Sequence, residues 1–237
     1  MFSRCLLAIV TTLIAACASE PGPIPTPTVT PPVRVVTTAS AQPFTREITD
    51  RSLTGPTPFS ITLAASQAEA VAAAQDSAIG ITLFVPDGMV LWATPLGEEP
   101  VAVIVNPISP IDGLTLAQLQ DIYAGRDTMW AAAVREEGDD SRLFFESVAL
   151  RGLKPAATIS VAPSPEAMIR FVGNTSNGIG YLPLRWADKR VKAIAIDGIA
   201  PTDEGYFLTA WVVAVAKSEP SGPAREWLVN AQSGGGK

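Results

Sequence analysis

The sequence predicts an α/β fold rather than an all-β one. Short apolar or alternating runs typical of strands recur along the chain, and segments with the apolar spacing of amphipathic helices lie between them. Hydrophobic residues make up 47% of the chain, which is enough for a sizeable core. The region after a proline-rich stretch near the N-terminus is long enough for one large domain or two lobes.

The first residues indicate an export signal rather than part of the fold. Arg4 precedes an apolar run from Leu6 to Ile14, which is too short to remain as a bilayer-spanning helix. The pattern Ile14-Ala15-Ala16-Cys17 then resembles a bacterial lipobox. We expect cleavage of residues 1–16 and a lipid on Cys17, which would anchor an extracytoplasmic protein to the cell membrane. The alternative is an ordinary secretory signal in which Cys17 is incidental. Cys5 leaves with the signal, so no disulfide framework is expected.

Residues 17–33 are predicted to be a Pro/Thr-rich tether. Prolines alternate with Thr, Gly, Ile and Val between Glu20 and Val33, a composition that favours extended polyproline II and buries no core. At roughly 3.1 Å per residue, the stretch from Glu20 to Val33 reaches about 40 Å, which would hold a folded domain clear of a membrane surface. A disordered spacer without a role of its own predicts the same structure.

Composition excludes several classes of function. The formal net charge is −6 and the isoelectric point about 4.7, so nucleic acid and anionic lipid headgroups are poor partners. The chain has no histidine, which removes Ser-His-Asp and Cys-His catalysis and the usual zinc sites. We therefore expect no metal and no cofactor.

Alternating elements are predicted along the first part of the folded region. Arg34 to Thr37 is a strand, and a short helix follows around Pro43 to Asp50. Phe59, Ile61 and Leu63 alternate as in a second strand. Ser66, with Glu69 three residues later, predicts a capping box for a helix through Ala74.

Two further strands are predicted next. Ala78 to Val85 is the first, and Pro86-Asp87-Gly88 is a turn after it. The unbroken apolar run Val101 to Val105 suits a fully buried strand. Thr115 and Gln118 then form a capping box for a helix that ends before Gly125.

An anion site is predicted at the start of the following helix. A short strand ends at Val134, a charged turn runs from Arg135 to Asp140, and a helix begins near Ser141. Arg135, Ser141 and Arg142 therefore gather near a helix N-terminus. Free N–H groups, a hydroxyl and guanidinium groups together favour an anion.

The C-terminal part continues the alternation. Thr158 to Val161 is a predicted strand, and Ser164-Pro165 opens a helix. Tyr206 to Ala216 is a long apolar strand. Ser221 to Gln232 is a final helix with Trp227 on its inner face.

The stretch from Val101 to Thr202 resembles the substrate-binding proteins of phosphate ABC importers, which have the type II periplasmic binding protein fold. The resemblance rests on several motifs in the family's order. They are Val105-Asn106-Pro107, Gly113-Leu114-Thr115, Ile122-Tyr123-Ala124-Gly125, Trp130, Arg135-Glu136, Ser141-Arg142, Phe145, Gly178-Ile179-Gly180-Tyr181 and Ile196-Asp197-Gly198-Ile199-Ala200-Pro201-Thr202.

The resemblance implies a two-lobed fold with mixed central sheets flanked by helices. Lobe one would comprise residues 34–102 plus 205–237, and lobe two residues 103–204. The protein would be a monomeric solute-binding protein that captures phosphate or a similar small oxyanion between the lobes and delivers it to an ABC permease.

The resemblance also implies which residues line the cleft, and each has a structural alternative. Thr37, Thr38 and Ser40 follow the first strand, where a plain turn is the alternative. Ser66 serves equally as a helix cap, and Asp76 as a surface-turn residue. An exposed charged loop is the alternative for Arg135, Ser141 and Arg142, and a β-turn for Thr175 and Ser176. Thr175 and Ser176 precede Gly178-Ile179-Gly180-Tyr181, which we interpret as a glycine-rich turn that can bring backbone N–H groups near a ligand.

The chain departs from the family at the phosphate motif itself. Where the family has Ser-Gly-Thr-Arg, this chain has Asp139-Asp140-Ser141-Arg142. A carboxylate about 4 Å from a phosphate charge costs on the order of 4 kcal/mol at an effective dielectric near 20, against roughly 8 kcal/mol for micromolar affinity. Alternatively, Asp139 or Asp140 caps the helix and points away.

Two other functions remain open at this stage. A degenerate binding domain would act as a sensor or as a structural module of the cell surface, and the two aspartates favour it. An enzyme would need carboxylates such as Asp76 and Asp139 to face one cleft, and nothing in their spacing supports that. We therefore predict a protein that is not an enzyme.

Overall fold

A computed structural model describes residues 32–52, 58–85 and 91–234. The predicted signal peptide, Cys17, most of the tether and the Pro86-Asp87-Gly88 turn lie outside the described residues. No helix within those ranges is long and apolar enough to cross a bilayer.

The elements alternate as the sequence predicts. The first six are β1 (Val33–Thr38), α1 (Gln42–Ser52), β2 (Phe59–Ala64), α2 (Gln67–Gln75), β3 (Ile79–Thr82) and β4 (Trp92–Val105). The next six are β5 (Gly113–Leu114), α3 (Leu116–Tyr123), β6 (Ala131–Arg135), α4 (Asp140–Val148), β7 (Ser160–Ala162) and α5 (Pro165–Asn174). The last are β8 (Gly178–Pro183), a 3-10 helix (Leu184–Trp186), β9 (Lys192–Ala193), β10 (Ala195–Ile196), β11 (Thr209–Ala216) and α6 (Gly222–Gly234).

Strand β4 connects two halves of one mixed sheet. The strand order is β2-β1-β3-β11-β4-β8-β6-β7, with β9 also on β4 and a separate β5–β10 pair. Residues 92–100 of β4 pair with β11, and residues 101–105 pair with β8. We call residues 33–52, 58–85 and 92–100 with β11 the first half, and residues 101–105 with residues 131–193, which include α4, the second half. The change of partner at Val101 is compatible with the lobe boundaries predicted above, which stay a proposal.

The sheet directions bring strand ends of the two halves towards each other. Strands β1, β2 and β3 are parallel, and so are β6, β7 and β8. Strand β4 leaves the first half in the direction of β1 and β3, and β8 runs antiparallel to it. The carboxyl ends of β1 and β3 therefore face the carboxyl end of β6, which is where α/β folds place ligand sites.

The predicted buried strand lies at the centre of the core. All residues from Val101 to Val105 are 0% exposed. Beside them, Phe145 stacks on Tyr181 with ring centroids 3.9 Å apart, and the ring of Tyr123 meets that of Phe145 edge-on at 5.0 Å. Aromatic pairs of this kind add to the free energy of burial and fix how α3 and α4 pack on the sheet.

Local capping signals are confirmed with one change. At Thr115 both hydrogen bonds of the predicted capping box are present, and Gly125 ends the turn after α3 with φ +73°. The Ser66 hydroxyl caps α2 by accepting from the N–H of Glu69. The Glu69 carboxylate, however, accepts from Ala65 N at 2.7 Å rather than completing a box with Ser66.

The glycine-rich segment from Gly178 to Tyr181 is a strand and not a turn, which corrects the prediction. It is buried throughout as part of β8. A Cβ on Gly180 would lie 2.4 Å from the Met168 sulfur, so the glycine permits close packing of α5 on the sheet. The glycines thus serve helix–sheet packing.

Candidate functional site

A buried polar cluster lies where the two halves meet, at the N-terminus of α4. We call it the carboxylate cluster. It consists of Thr38, Ser40, Thr82, Arg135, Asp139, Asp140 and Ser141, all buried. Asp139 is the N-cap residue of α4, and Gly138 before it adopts φ +84°, which a glycine accommodates without strain.

The Asp140 carboxylate reaches from α4 into the first half. Its Oδ2 accepts from the Thr38 hydroxyl at 2.6 Å, from the Thr82 hydroxyl at 3.0 Å and from the Leu83 N–H at 2.7 Å. Its Oδ1 accepts from the Ser141 N–H at 2.9 Å. Thr38 and Thr82 are the last residues of β1 and β3, so the parallel pairing through β1 places both hydroxyls at the same edge.

The Asp139 carboxylate gathers donors from both halves. From the first half, Ser40 Oγ lies 3.2 Å from Oδ2. From the second half, Ser141 Oγ donates to Oδ1 at 2.5 Å, Arg135 Nη2 donates to Oδ2 at 2.8 Å, and the Arg142 N–H donates to Oδ1 at 3.2 Å. The same carboxylate therefore caps the helix and bridges the halves.

Arg135 is held by its neighbours but is not fully satisfied. It ends β6 and is 3% exposed. Its Nη1 donates to the carbonyl of Ala162 at 2.7 Å, which fixes the guanidinium against β7. Its Nε has no hydrogen-bond partner among the described residues. A buried guanidinium N–H without an acceptor is unfavourable and marks a site where another acceptor would be stabilised.

The cluster is acidic and shielded from water. Burial and the neighbouring Asp139 charge raise the pKa of Asp140 from 3.8 to about 6, against the lowering effect of the donors from Leu83, Thr38 and Thr82. The positive end of the α4 dipole favours negative charge at Asp139 and Asp140. Burial and the Asp139 charge thus disfavour the anionic form of Asp140, and the hydrogen-bond donors offset only part of that cost.

A second set of contacts crosses between the halves beside the cluster. Arg185, in the 3-10 helix after β8, forms an ion pair with the buried Glu99 and donates to Glu47 Oε2 at 2.8 Å. Trp186 Nε1 donates to the carbonyl of Ala39 at 3.0 Å, next to Ser40 of the cluster. Burial raises the pKa of Glu99, which the Arg185 charge opposes. These contacts join the two halves beside the cluster.

Four of the predicted ligand residues come together in the cluster: Thr38, Ser40, Arg135 and Ser141. Ser66 lies close by as a helix cap, because the N–H of Gln67 donates to the carbonyl of Gly138 at 3.0 Å. The Thr37 hydroxyl forms a hydrogen bond with Thr45 Oγ1 at 2.8 Å, within the first half and away from the two carboxylates.

Three predicted residues lie at the wrong ends of their elements. Asp76 is exposed at the C-terminus of α2, and nine helical residues of roughly 1.5 Å each separate it from the end of α2 beside Gly138. Thr175 and Ser176 follow α5, and the neighbouring Asn177 accepts from the N–H of Ala131 at the start of β6. The cluster is at the opposite end of β6, so the structure brings none of the three to it.

Arg142 contributes its backbone and not its side chain. Its guanidinium donates to Glu146 at 2.6 Å and to the carbonyl of Arg135 at 2.8 Å. Residues i and i+4 face each other on a helix, so Glu146 competes for the side chain. The guanidinium is therefore held against Glu146 and the Arg135 carbonyl rather than against the two aspartates, and its contact with a ligand stays a prediction.

Sequence analysis missed Thr82, the Leu83 N–H and the position of the two carboxylates. Thr82 sits in a run predicted as a strand, and its place at the carboxyl end of a parallel strand was the available signal. Asp139 is a helix cap as anticipated, but neither carboxylate points away from the cluster.

The cluster is built from hydrogen-bond donors and carboxylates. Hydroxyls, amide N–H groups and a guanidinium surround carboxylate oxygens. No group of three or more His, Cys, Asp or Glu side chains that could hold a metal occurs among the described residues. The donors of the cluster form hydrogen bonds with the anionic oxygens of the two aspartates.

Comparison with solved structures identifies the fold. The sequence matches no family profile. A phosphate ABC transporter substrate-binding protein of Clostridium perfringens, solved with bound phosphate, shares 21% identity, with TM-score 0.76 over 85% of this chain and 92% of that one. An ABC-type phosphate transport receptor of Vibrio cholerae shares 22%, with TM-score 0.68 over 85% and 94%. The CcmR regulatory domain of Synechocystis in complex with 2-PG shares 17%, with TM-score 0.66 over 86% and 97%.

These likenesses confirm the predicted fold class. The chain has the mixed α/β type II periplasmic binding protein fold, and the similar structures include phosphate-binding proteins of this fold. By their descriptions, these similar structures are phosphate-binding proteins of ABC transporters and a regulatory domain.

Proposed function

We propose that this protein is an extracytoplasmic solute-binding protein that captures a small oxyanion, with phosphate as the first candidate, and delivers it to an ABC permease. Residues 34–102 plus 205–237 would form one lobe and residues 103–204 the other. A lipid on Cys17 and the proline-rich tether would hold the two lobes near the membrane.

The observation that carries the proposal is the convergence of donors from both halves on anionic oxygens. Thr38, Ser40 and Thr82 come from the first half, whereas Arg135 and Ser141 come from the second. A phosphate oxygen presents the same chemistry as the carboxylate oxygens that now accept from these groups. An anion placed there would be held by both halves, which couples binding to closure.

Titration calorimetry of residues 31–237, the compact unit that contains all the described residues, tests the proposal. Phosphate, sulfate, molybdate, tungstate and a phosphonate would each be added at low ionic strength. We expect one-to-one binding of at least one anion. A folded protein that binds none of them would contradict the proposal.

Ser141→Ala should weaken the affinity for the bound anion about tenfold to a hundredfold. The hydroxyl is fully buried in the cluster, and a hydrogen bond to a charged group contributes roughly 1.5–3 kcal/mol. The matched control is Ser147→Ala, because Ser147 is exposed on the same helix. Equal affinities of the two variants in the same titration would remove Ser141 from the site.

A second candidate is a module that does not transport, acting as a sensor or a structural domain at the cell surface. It is favoured by the fact that Asp139 and Asp140 already engage the donors. The Synechocystis structure is a regulatory domain of similar fold. The same titration separates the two candidates, since the module predicts no binding across the panel.

The membrane anchor is tested separately. Cys17→Ser should move the protein from the membrane fraction to the soluble fraction, because lipid attachment needs the thiol. Cys5→Ser is the control and should leave the protein on the membrane. A Cys17→Ser protein that stays membrane-bound would contradict lipid anchoring.

A further inference from the structure

We infer that Asp139 and Asp140 form a resident internal ligand, which occupies the oxyanion site and holds the two halves together in the absence of solute. An incoming anion must displace these carboxylates before it can bind. The inference rests on the proposed function, because it concerns the regulation of the same site.

Asp140 acts across the boundary between the halves. Its backbone belongs to α4 in the second half, whereas Thr38, Thr82 and Leu83 belong to the first. Three donors from two strand ends meet on the single oxygen Oδ2, at 2.6, 3.0 and 2.7 Å. These are the charge-assisted hydrogen bonds that a bound oxyanion would also accept there.

Asp139 completes the bridge. Ser40 approaches it from the first half, and Arg135 and Ser141 approach it from the second. Both carboxylates are buried, at 7% exposure for Asp139 and 0% for Asp140, so the contacts are shielded from water and salt. The two carboxylates therefore accept hydrogen bonds from both halves. A solute bound between the halves would accept hydrogen bonds from the same donors.

Competition follows from the shared donors. The hydroxyls of Thr38, Ser40 and Ser141 cannot serve the internal carboxylates and an external anion at once. A site that is free for only a fraction of the time has its apparent affinity reduced by that fraction. Repulsion from two nearby negative charges lowers the affinity further.

The internal ligand leaves one donor of the site unused. Arg135 Nε is buried and has no acceptor within the described residues, while Nη2 serves Asp139. A tetrahedral oxyanion has more acceptor oxygens than one carboxylate can direct at this guanidinium. An external anion can therefore accept a hydrogen bond from Arg135 Nε, which the two carboxylates leave unused. This contact favours the anion when it competes with the carboxylates for the site.

Replacing the pair by the residues of the family pattern tests the inference. Asp139→Ser with Asp140→Gly should bind phosphate at least about a hundredfold more tightly than the unchanged protein, measured by calorimetry on residues 31–237. The charge control is Glu136→Gln with Glu137→Gln. It removes two exposed charges from the same loop and should change the affinity by less than about threefold.

The pattern of results separates the inference from the proposed function. Equal phosphate affinity of the unchanged and double-substituted proteins would overturn the inference and leave the proposed function standing. Binding by the double-substituted protein alone would uphold the internal ligand and overturn oxyanion capture by the natural chain. Absence of binding in both folded proteins would overturn the oxyanion site, and with it both proposals.

Small-angle X-ray scattering on the unchanged protein provides a test that needs no substitution. The radius of gyration should be the same with and without phosphate, because the internal ligand already holds the halves together. Compaction on addition of phosphate would overturn the inference. The double-substituted protein, if it folds, should be larger without phosphate and contract when phosphate is added.

Discussion

Replacing Arg135 by methionine should lower the free energy of unfolding by about 3–5 kcal/mol, because the buried Asp139 carboxylate loses its ion-pair partner. Both side chains are largely inaccessible, at 4% and 7% exposure, so water cannot take the place of the guanidinium. Methionine keeps the unbranched aliphatic stem of arginine, and the change thus tests charge compensation more than packing. Urea unfolding measured by circular dichroism gives the difference.

Two comparisons make the Arg135 experiment specific. Arg126→Met breaks an ion pair with Asp121 whose side chains are 60% and 50% exposed, and it should cost less than about 1 kcal/mol. Adding Asp139→Ser to Arg135→Met should recover on the order of 2 kcal/mol, because the uncompensated charge is removed. Additive effects of the two substitutions would contradict the coupling described here.

Acidification should stabilise the fold through Asp140. Its pKa is about 6 in the folded protein against an ordinary value of 3.8, so the folded state binds this proton more tightly than the unfolded chain does. The free energy of unfolding therefore rises as the pH falls through about 6 towards 3.8. Between about pH 7 and about pH 4, protonation of Asp140 should raise the free energy of unfolding by on the order of 2 kcal/mol.

The difference between the unchanged protein and Asp140→Asn isolates this contribution. Glu99, whose pKa burial raises, acts in the same direction. Glu146 acts in the opposite direction, because Lys154 and Arg142 outweigh its burial and lower its pKa, so its contribution is lost on acidification. Asp140→Asn should retain the contributions of Glu99 and Glu146 and lose the contribution of Asp140. Parallel pH profiles of the two proteins would show that Asp140 carries no proton-linked stability.

Local signals were sufficient to predict most of the elements. The run from Val101 to Val105 is apolar at every position and became a buried strand, because such a run satisfies burial on both faces. The capping box of Thr115 and Gln118 formed as predicted, because all its atoms lie within four residues of one another. In contrast, the Gly178 to Tyr181 segment was mistaken for a turn, since the reason for its glycines is the approach of Met168, which the local sequence does not contain.

The composition of the site depended on long-range geometry. Sequence analysis grouped Arg135 and Ser141 because both lie close to the N-terminus of α4, and the structure places both in the carboxylate cluster. Their contact with a ligand stays a prediction. Asp76 follows α2 as the sequence indicates, but this end of the helix lies away from the carboxylate cluster, because a motif gives the neighbourhood of a residue and not the end of the sheet that it reaches. Asp140 was identified as a departure from the family, but its contact with Thr38 spans 102 positions and required the sheet topology.

The central claim is that the carboxylates of Asp139 and Asp140 take the place of a solute between the two halves. A crystal structure of residues 31–237, grown near neutral pH without any oxyanion, tests it most directly. We predict closed halves, with the Asp140 carboxylate within hydrogen-bond distance of Thr38, Thr82 and the Leu83 N–H. An open cleft in which Asp140 faces solvent, with Thr38 and Thr82 bound only to water, would contradict the claim.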